Sequence, residues 1–544
     1  MKSTLLVCLL GFLFCGNVFS QYPIQRVHLD GNNIDAIFQN TGIFNQNTTS
    51  GNTAGFIWPK GSGRTAVFSS GLSMSAMVQG QLRQAMASYK GEMIQGRCNN
   101  GVPFTNDTFK FYSVKKTDNP NTNPDWLNWG LMVPYGAPFV DVNNNGIYEP
   151  FIDTPGVKNA SQTLFICMTD GFTNTHNPGE GYGGGTLPLY NEVHLTAWCY
   201  SQPSYNDMQF LKYEIINKGN APWTRAYFSF IADPDIGDYT DDYIGCDTVR
   251  KMGYCYNADT LDGNGNPPSY GAAPPAVGFL LLKSAYRKNI NSGYLGMTGF
   301  TTFINVDGAP APCEADPNGE PLGAYYFMMG YKKDSCSWLD PTQTPWKRTK
   351  YIYPGDPVTN TGWTEHKGSV WNCGNDSTGT LFTVNPPGDR RLAMSSGFED
   401  LTIMPGDTQR IVVCQLIARG TSNLNSVTKL KQLSDVAINF YNTNFTIGVK
   451  QISTEIPTKY SMSQNYPNPF NPSTIIRYQL SVVGNVSLKV YDVQGREIQT
   501  LVNERLQAGT YEATFDGSVL NSGVYFYQLV SGEFKETKRA ILIK

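Results

Sequence analysis

The 544 residues carry 41 Lys and Arg against 44 Asp and Glu, a formal charge of −3, and only 16% of the chain is charged. No global basic field exists to hold a phosphate backbone, so no nucleic acid partner is expected. Gly 54, Pro 33 and Tyr 31 favour turns, short strands and aromatic packing, which predicts a mainly β chain of about two or three domains.

At the amino end, Lys2 precedes an apolar run over 5–14 that is too short to span a bilayer as a mature helix. Val18 and Ser20 place a cleavage site before Gln21, so residues 1–20 read as a signal peptide. Bulky Phe14 ahead of Cys15 argues against a lipoprotein. Further on, no run approaches the roughly 18 apolar residues a spanning helix needs. Of 11 cysteines, Cys8 and Cys15 fall in the leader and an odd number remains, leaving at least one thiol unpaired in a monomer.

Residues 21–160 read as an amino-terminal β-rich region that ends near an oxygen-rich loop. Asp141, Asn143 and Asn145 offer oxygens at alternate positions, and Gly146 permits a sharp turn. Ile147 adds a carbonyl and Glu149 a carboxylate, the donor set a hard cation takes from one loop. Ca2+ is the natural occupant, in a structural role. An EF-hand has Glu at its twelfth position, where this chain has Ile152, so a looser loop would use Asp153. The competing reading is an Asn-Gly hairpin turn.

Residues 161–450 read as an Ig-like β-sandwich with a large insertion at about 246–390. Residues 208–231 form two strands around a turn at 218–222, and residues 398–418 two apolar runs around Pro405-Gly406-Asp407. The two pieces are expected to share one sandwich, with 210–216 pairing against 411–417. Asp233, Asp235, Asp238, Asp241, Asp242 and Asp247 crowd carboxylates that repel unless a cation bridges them or water solvates them. Both outcomes stay open. Cys246 and Cys255 flank a segment able to fold back, giving either a disulfide or two small buried residues. Apolar residues at spacings of three and four predict a helix over 425–441, N-capped by Asn425 and leading into a linker at 451–460.

From residue 461 the apolar stretches are short, bounded by Gly, Pro, Asn or Asp, and alternate with period two, as in a small antiparallel sandwich. The run Asn465-Tyr466-Pro467-Asn468-Pro469-Phe470-Asn471-Pro472 opens the segment. Tyr491-Asp492, Gly495-Arg496, Gly509-Thr510-Tyr511, Gly523-Val524-Tyr525 and the basic end at Lys535, Lys538, Arg539 and Lys544 follow in order. Residues 461–544 thus resemble the type A C-terminal sorting domain of the type IX secretion system, and also the Ig-like domain of flagellar hook-cap proteins. The resemblance implies Sec export, recognition of the folded tail by an outer-membrane translocon, and removal of the tail by a sortase-like protease. It further implies release of the body or its attachment to surface lipopolysaccharide. The stretches 51–72, 136–150, 210–219, 233–248, 353–363 and 388–413 resemble a recurring class of large secreted cargo proteins with the same tail. That likeness implies a destination and no reaction.

Searches for catalytic patterns find none. His28, His176, His194 and His366 are the only histidines, and no zinc-protease helix, nucleophile elbow or phosphate loop accompanies them. Gly181 to Gly185 lack the strand and helix that a phosphate loop needs, and read as flexible. Trp126, Trp129, Trp363 and Trp371 serve either packing or sugar stacking. The leading expectation is a non-enzymatic structural, adhesive or binding protein of the cell surface, stabilised by calcium. The alternative is an extracellular hydrolase acting on glycans through a carboxylate pair.

Overall fold

The structure is a computed structural model that describes residues 23–49, 53–178, 182–288, 293–305, 312–374, 381–384, 386–443, 445, 449–453, 457–506, 508–517 and 520–543. The expected signal peptide at 1–20 lies outside the described residues. Among those residues no helix is long and apolar enough to cross a membrane.

The chain is mainly β, and two antiparallel sheets form the body. One runs from Gly299–Phe303 through Arg391–Gly397, Thr224–Asp233 and Ser69–Val78 to the short strands between Asp35 and Val67. The other runs from Ile94–Gln95 through Gln162–Thr169, Asn191–Cys199, Met208–Asn217, Thr408–Ala418, Ala276–Lys283 and Met252–Asn257 to Asp242–Asp247. Their facing sides merge in one apolar core, where Phe230 of the first sheet meets Phe279 of the second at a ring-centroid distance of 5.3 Å. An amide network also crosses the gap: Asn45 Nδ2 donates to Gln415 Oε1 at 3.0 Å, and Gln415 Nε2 donates to Gln209 Oε1 at 2.7 Å.

The expected pairing of 210–216 with 411–417 is observed, antiparallel, with Phe210 opposite Cys414 and Tyr213 opposite Ile411. The expected boundary at 160 is not. Ser69–Val78 pairs with Thr224–Asp233, and Tyr112–Lys115 pairs with Gln162–Thr169, so residues 21–160 complete both sheets of the same sandwich. The proposed insertion at 246–390 fails for the same reason: Ala276–Lys283 lies directly beside Thr408–Ala418. A central strand needs partners on both edges, and these segments supply them. The turns at 218–222 and 405–407 also do more than close hairpins. Each carries the chain from one sheet to the other, and the two crossings are tied by a bridge between Trp223 and Ile403 and by Gly406 N donating to Asn217 O at 2.8 Å.

The helix spans Asn423–Asn442, two residues earlier than expected. Its N-cap is Ser422, whose Oγ accepts from Asn425 N at 3.1 Å, while the Asn425 side chain accepts from Thr421 N. Val427, Leu430 and Phe440 cover the outer face of the second sheet. Gly278 lies beneath this helix, where an added Cβ would stand 3.2 Å from a Leu430 methyl.

Of the two readings of Cys246 and Cys255, the structure shows two small buried residues and no disulfide between them. The register sets Cys246 against Gly253 and Cys255 against Ile244, two positions out of step, and both thiols are free and buried. The disulfide instead joins Cys313 to Cys373, which lie in irregular segments where no strand pattern announces a pairing.

The tail is a separate sandwich of two four-stranded sheets around its own core. The linker expected at 451–460 is shorter than that span. Val449–Ser453 already pairs with Gly509–Asp516, so the module begins with this edge strand.

Candidate functional site

Asp233 ends one strand and Arg391 begins its neighbour; Ala232 pairs with Leu392, which makes Asp233 and Arg391 the next residues across. Asp235 lies two residues beyond the first strand and Asp389 two residues before the second. One oxygen from each of Asp233, Asp235 and Asp389 lies within 4.8 Å of the others. Arg391 Nη2 approaches Asp389 Oδ2 at 3.3 Å, and Arg391 Nε approaches Asp233 Oδ2 at 3.7 Å. Tyr89 Oη donates to the same Asp233 oxygen and accepts from Arg391 Nε. The Oδ1 atoms of Asp233, Asp235 and Asp389 are all buried without a hydrogen-bond partner. Burial pushes the Asp233 carboxyl up to about 7, against the opposing pull of Arg391 and with the support of Asp389. Burial, then Asp233, Asp389 and Asp242, push Asp235 well above the usual carboxylate range.

The other members of the acidic run stand apart. Asp238 caps Thr240 through its N–H and hydroxyl, Asp247 pairs with Arg250 at 2.9 Å, and buried Asp242 accepts from Ile236 N. Burial raises Asp241 to about 6, with Asp262 and Asp238 adding to the rise. The run therefore divides, and its first two residues find their third partner, Asp389, far along the chain.

The 141–153 loop tips a short hairpin between Phe139–Val140 and Thr154–Pro155. Asp141 Oδ1 accepts from Asn145 N at 3.2 Å and Oδ2 from Gly146 N at 2.7 Å. Asn145 Oδ1 accepts from Ile147 N at 2.8 Å. Asn143 Nδ2 and Asn145 Nδ2 both donate to Glu149 Oε2, at 2.6 and 2.7 Å. Asp153 accepts from Val142 N and Glu149 N, so it pins the loop's base.

A third polar cluster is buried in the body. His176 Nδ1 lies 3.4 Å from Glu92 Oε2, and its Nε2 lies 2.7 Å from Asp170 O. Glu92 accepts from Met86 N and Gly185 N. The glycine loop expected to be flexible folds around this carboxylate: Gly183, Gly184 and Gly185 all take positive φ, which only glycine adopts freely in succession. His194 Nε2 donates to Glu192 Oε1 at 2.8 Å, in keeping with a satisfied core histidine. Trp129 and Trp363 are buried, so they pack the core instead of stacking on sugar.

In the tail, residues 465–472 form a strap between the two sheets. Tyr466 exchanges backbone hydrogen bonds with Ile475 of one sheet, whereas Phe470 N donates to Ile541 O and Phe470 O accepts from Ile543 N in the other. Asn465 is buried, its Nδ2 donating to Pro467 O and Thr474 Oγ1, and Asn468 Oδ1 accepts from Ile541 N. Phe470 fills the core, while Tyr466, Pro467, Pro469, Asn471 and Pro472 lie outside, Tyr466 at 81% exposure. Tyr511 stacks on Tyr478 at 5.5 Å, Tyr525 is buried, Gly495 turns at φ 76°, Gly523 opens its strand, and Lys538 pairs with Glu536. The sequence motif is thus mostly an architectural one. Residues 464–544 match the family described as a secretion system C-terminal sorting domain. No curated protein matches the chain.

Proposed function

From the premise that the tail is a sorting domain and the chain a type IX secretion cargo, exported to the cell surface or released, we propose that the exported body is a binding or structural scaffold. The observation that carries this reading is the filled interior: the facing sides of both sheets belong to one continuous apolar core. A glycan hydrolase needs a carboxylate pair roughly 5–10 Å apart across a cleft. The Asp233, Asp235 and Asp389 oxygens crowd closer than that, and two of the four candidate sugar-stacking tryptophans are buried. The translocon and the sortase-like protease act on the tail, after which the body is freed or joined to lipopolysaccharide.

Calcium in the 141–153 loop completes the proposal. The amides of Asn143 and Asn145 already converge on Glu149, and a half-turn of each, which gives up the bonds their Oδ1 atoms accept from Asn145 N and Ile147 N, would direct those oxygens toward an ion held by Glu149. Ile147 would add its carbonyl, and Asp153 holds the loop's base in position. Binding there stabilises the folded state by mass action. EDTA is expected to lower the melting temperature of the full chain, and Asp141→Ala to remove part of that shift. No response to EDTA, together with no calcium binding in calorimetry, would sink the calcium reading.

A further inference from the structure

We propose that Asp233, Asp235 and Asp389 bind a second calcium ion, with Arg391 as the fixed group that orients the first and third carboxylates. This site is independent of the 141–153 loop and of the scaffold reading.

The two oxygens of each strand-end carboxylate are used differently. On Asp233 and Asp389 the Oδ2 atoms face Arg391, and Tyr89 donates to the Asp233 one. Their Oδ1 atoms, with that of Asp235, have no partner although they are buried. The Asp233 side chain is only 6% exposed and that of Asp389 27%, and in each the Oδ1 atom itself is buried. An unpartnered buried carboxylate oxygen is costly, and three brought together repel as well. A single cation answers all three at once. The donors are all oxygen, with no nitrogen or sulfur among them, which selects a hard ion. Calcium tolerates an irregular shell of six to eight oxygens, whereas magnesium demands a near-octahedral one.

Arg391 does not replace such an ion. It also faces Asp316 at 3.7 Å, and one guanidinium spread over Asp233, Asp389 and Asp316 leaves Asp235 with no ion-pair partner among the described residues. Its contacts with Asp233 and Asp389 hold those two carboxylates in place, with one oxygen of each of the three acids within 4.8 Å of the others. The site would join the two halves of the ten-stranded sheet at the end where Thr224–Asp233 leaves and Arg391–Gly397 enters.

The test uses the full chain carrying Asp141→Ala, so that the exposed loop does not contribute. In calcium chloride, Asp389→Asn is expected to lower the melting temperature and remove one bound calcium in equilibrium dialysis. In EDTA the same substitution removes one of three repelling charges and is expected to leave the melting temperature equal or higher. The order of the two proteins thus inverts with calcium, which a purely structural hydrogen-bonding role would not produce. Asp235→Asn provides the same inversion should Asp389→Asn not fold, and Asp238→Asn, outside the cluster, retains the full calcium count. The same order in both buffers, or an unchanged count, overturns the site; a proton shared among the carboxylates would give that result.

Discussion

The body and the tail are both antiparallel sandwiches, yet they treat polar groups in opposite ways. In the tail strand Ser473–Leu480, Thr474, Ile476, Tyr478 and Leu480 point inward while Ser473, Ile475 and Arg477 are exposed. Among the described residues of the tail the buried polar side chains are Asn465, Thr474 and Ser531, none of them ionisable in the physiological range. In the body, Gln162–Thr169 and Asn191–Cys199 are buried along their whole lengths, because helices or loops cover the face that does not meet the other sheet. Ionisable groups are buried with them, including Glu92, Asp170, Glu365 and Lys332. A small sandwich with few loops can keep a dry core. A large scaffold with many loops uses internal polar contacts to fix them.

The largest effect expected from this contrast is on export. Removing residues 446–544 takes away the tail together with its edge strand Val449–Ser453 but leaves Phe445, which packs on Trp198 and Phe210 of the body, and is expected to abolish appearance at the cell exterior while the body still folds. Fractionation of the native host measures the first outcome and melting of the retained protein the second. Normal export of the truncated chain would separate the tail from its assigned role. Unfolding of the body would instead show that the two cores depend on each other.

A single buried methyl cluster sharpens the same point. Leu488 is fully buried between the strands Glu497–Leu506 and Gly523–Ser531. Leu488→Ala is expected to destabilise the tail by about 3 kcal/mol through lost burial and a residual cavity. Leu211→Ala, at an equally buried body position, is expected to cost a similar amount in the body's transition and leave export intact. Equal loss of export from both substitutions would mean that the machinery senses the stability of the whole chain.

The contrast also explains what was legible in the sequence. Period-two alternation survives where one strand face meets water, and so the tail sandwich could be read directly. The helix was visible for the same reason, as its outer face is solvated; only its cap shifted, from Asn425 to Ser422, since several polar residues precede the first apolar one. Double burial erased the alternation in the body, and the early strands were misjudged as a separate region. The oxygen-rich loop was local and could be seen, whereas Asp389 joins Asp233 and Asp235 only through the register of two strands distant in sequence. The triplets Asp233-Pro234-Asp235 and Asp389-Arg390-Arg391, one leaving the end of a strand and the other leading into one, were the signal available.

The smallest effect expected is a slope with pH, and it belongs to the body alone. Burial pushes the Glu92 carboxyl from its ordinary 4.5 up to about 8, against the donated N–H groups of Met86 and Gly185. Burial likewise raises Asp170 to about 7 and holds His176 down to about 4. Above about pH 6.5 the unfolded chain has released both carboxyl protons and the histidine proton, whereas the folded body still holds that of Glu92 and, up to about pH 7, that of Asp170. Folded protein then binds more protons than unfolded, so stability falls as pH rises toward 8. Below about 6.5 the unfolded histidine takes up a proton that His176 refuses, which acts in the opposite sense and flattens the profile. Glu92→Gln mimics the protonated acid and is expected to remove about 1–2 kcal/mol of the loss between pH 6.5 and 8. Denaturant unfolding at both ends of that window measures it. Parallel profiles for the two proteins would show that Glu92 is ionised in the folded body, and that the glycine loop around it stabilises a charge instead of a buried acid.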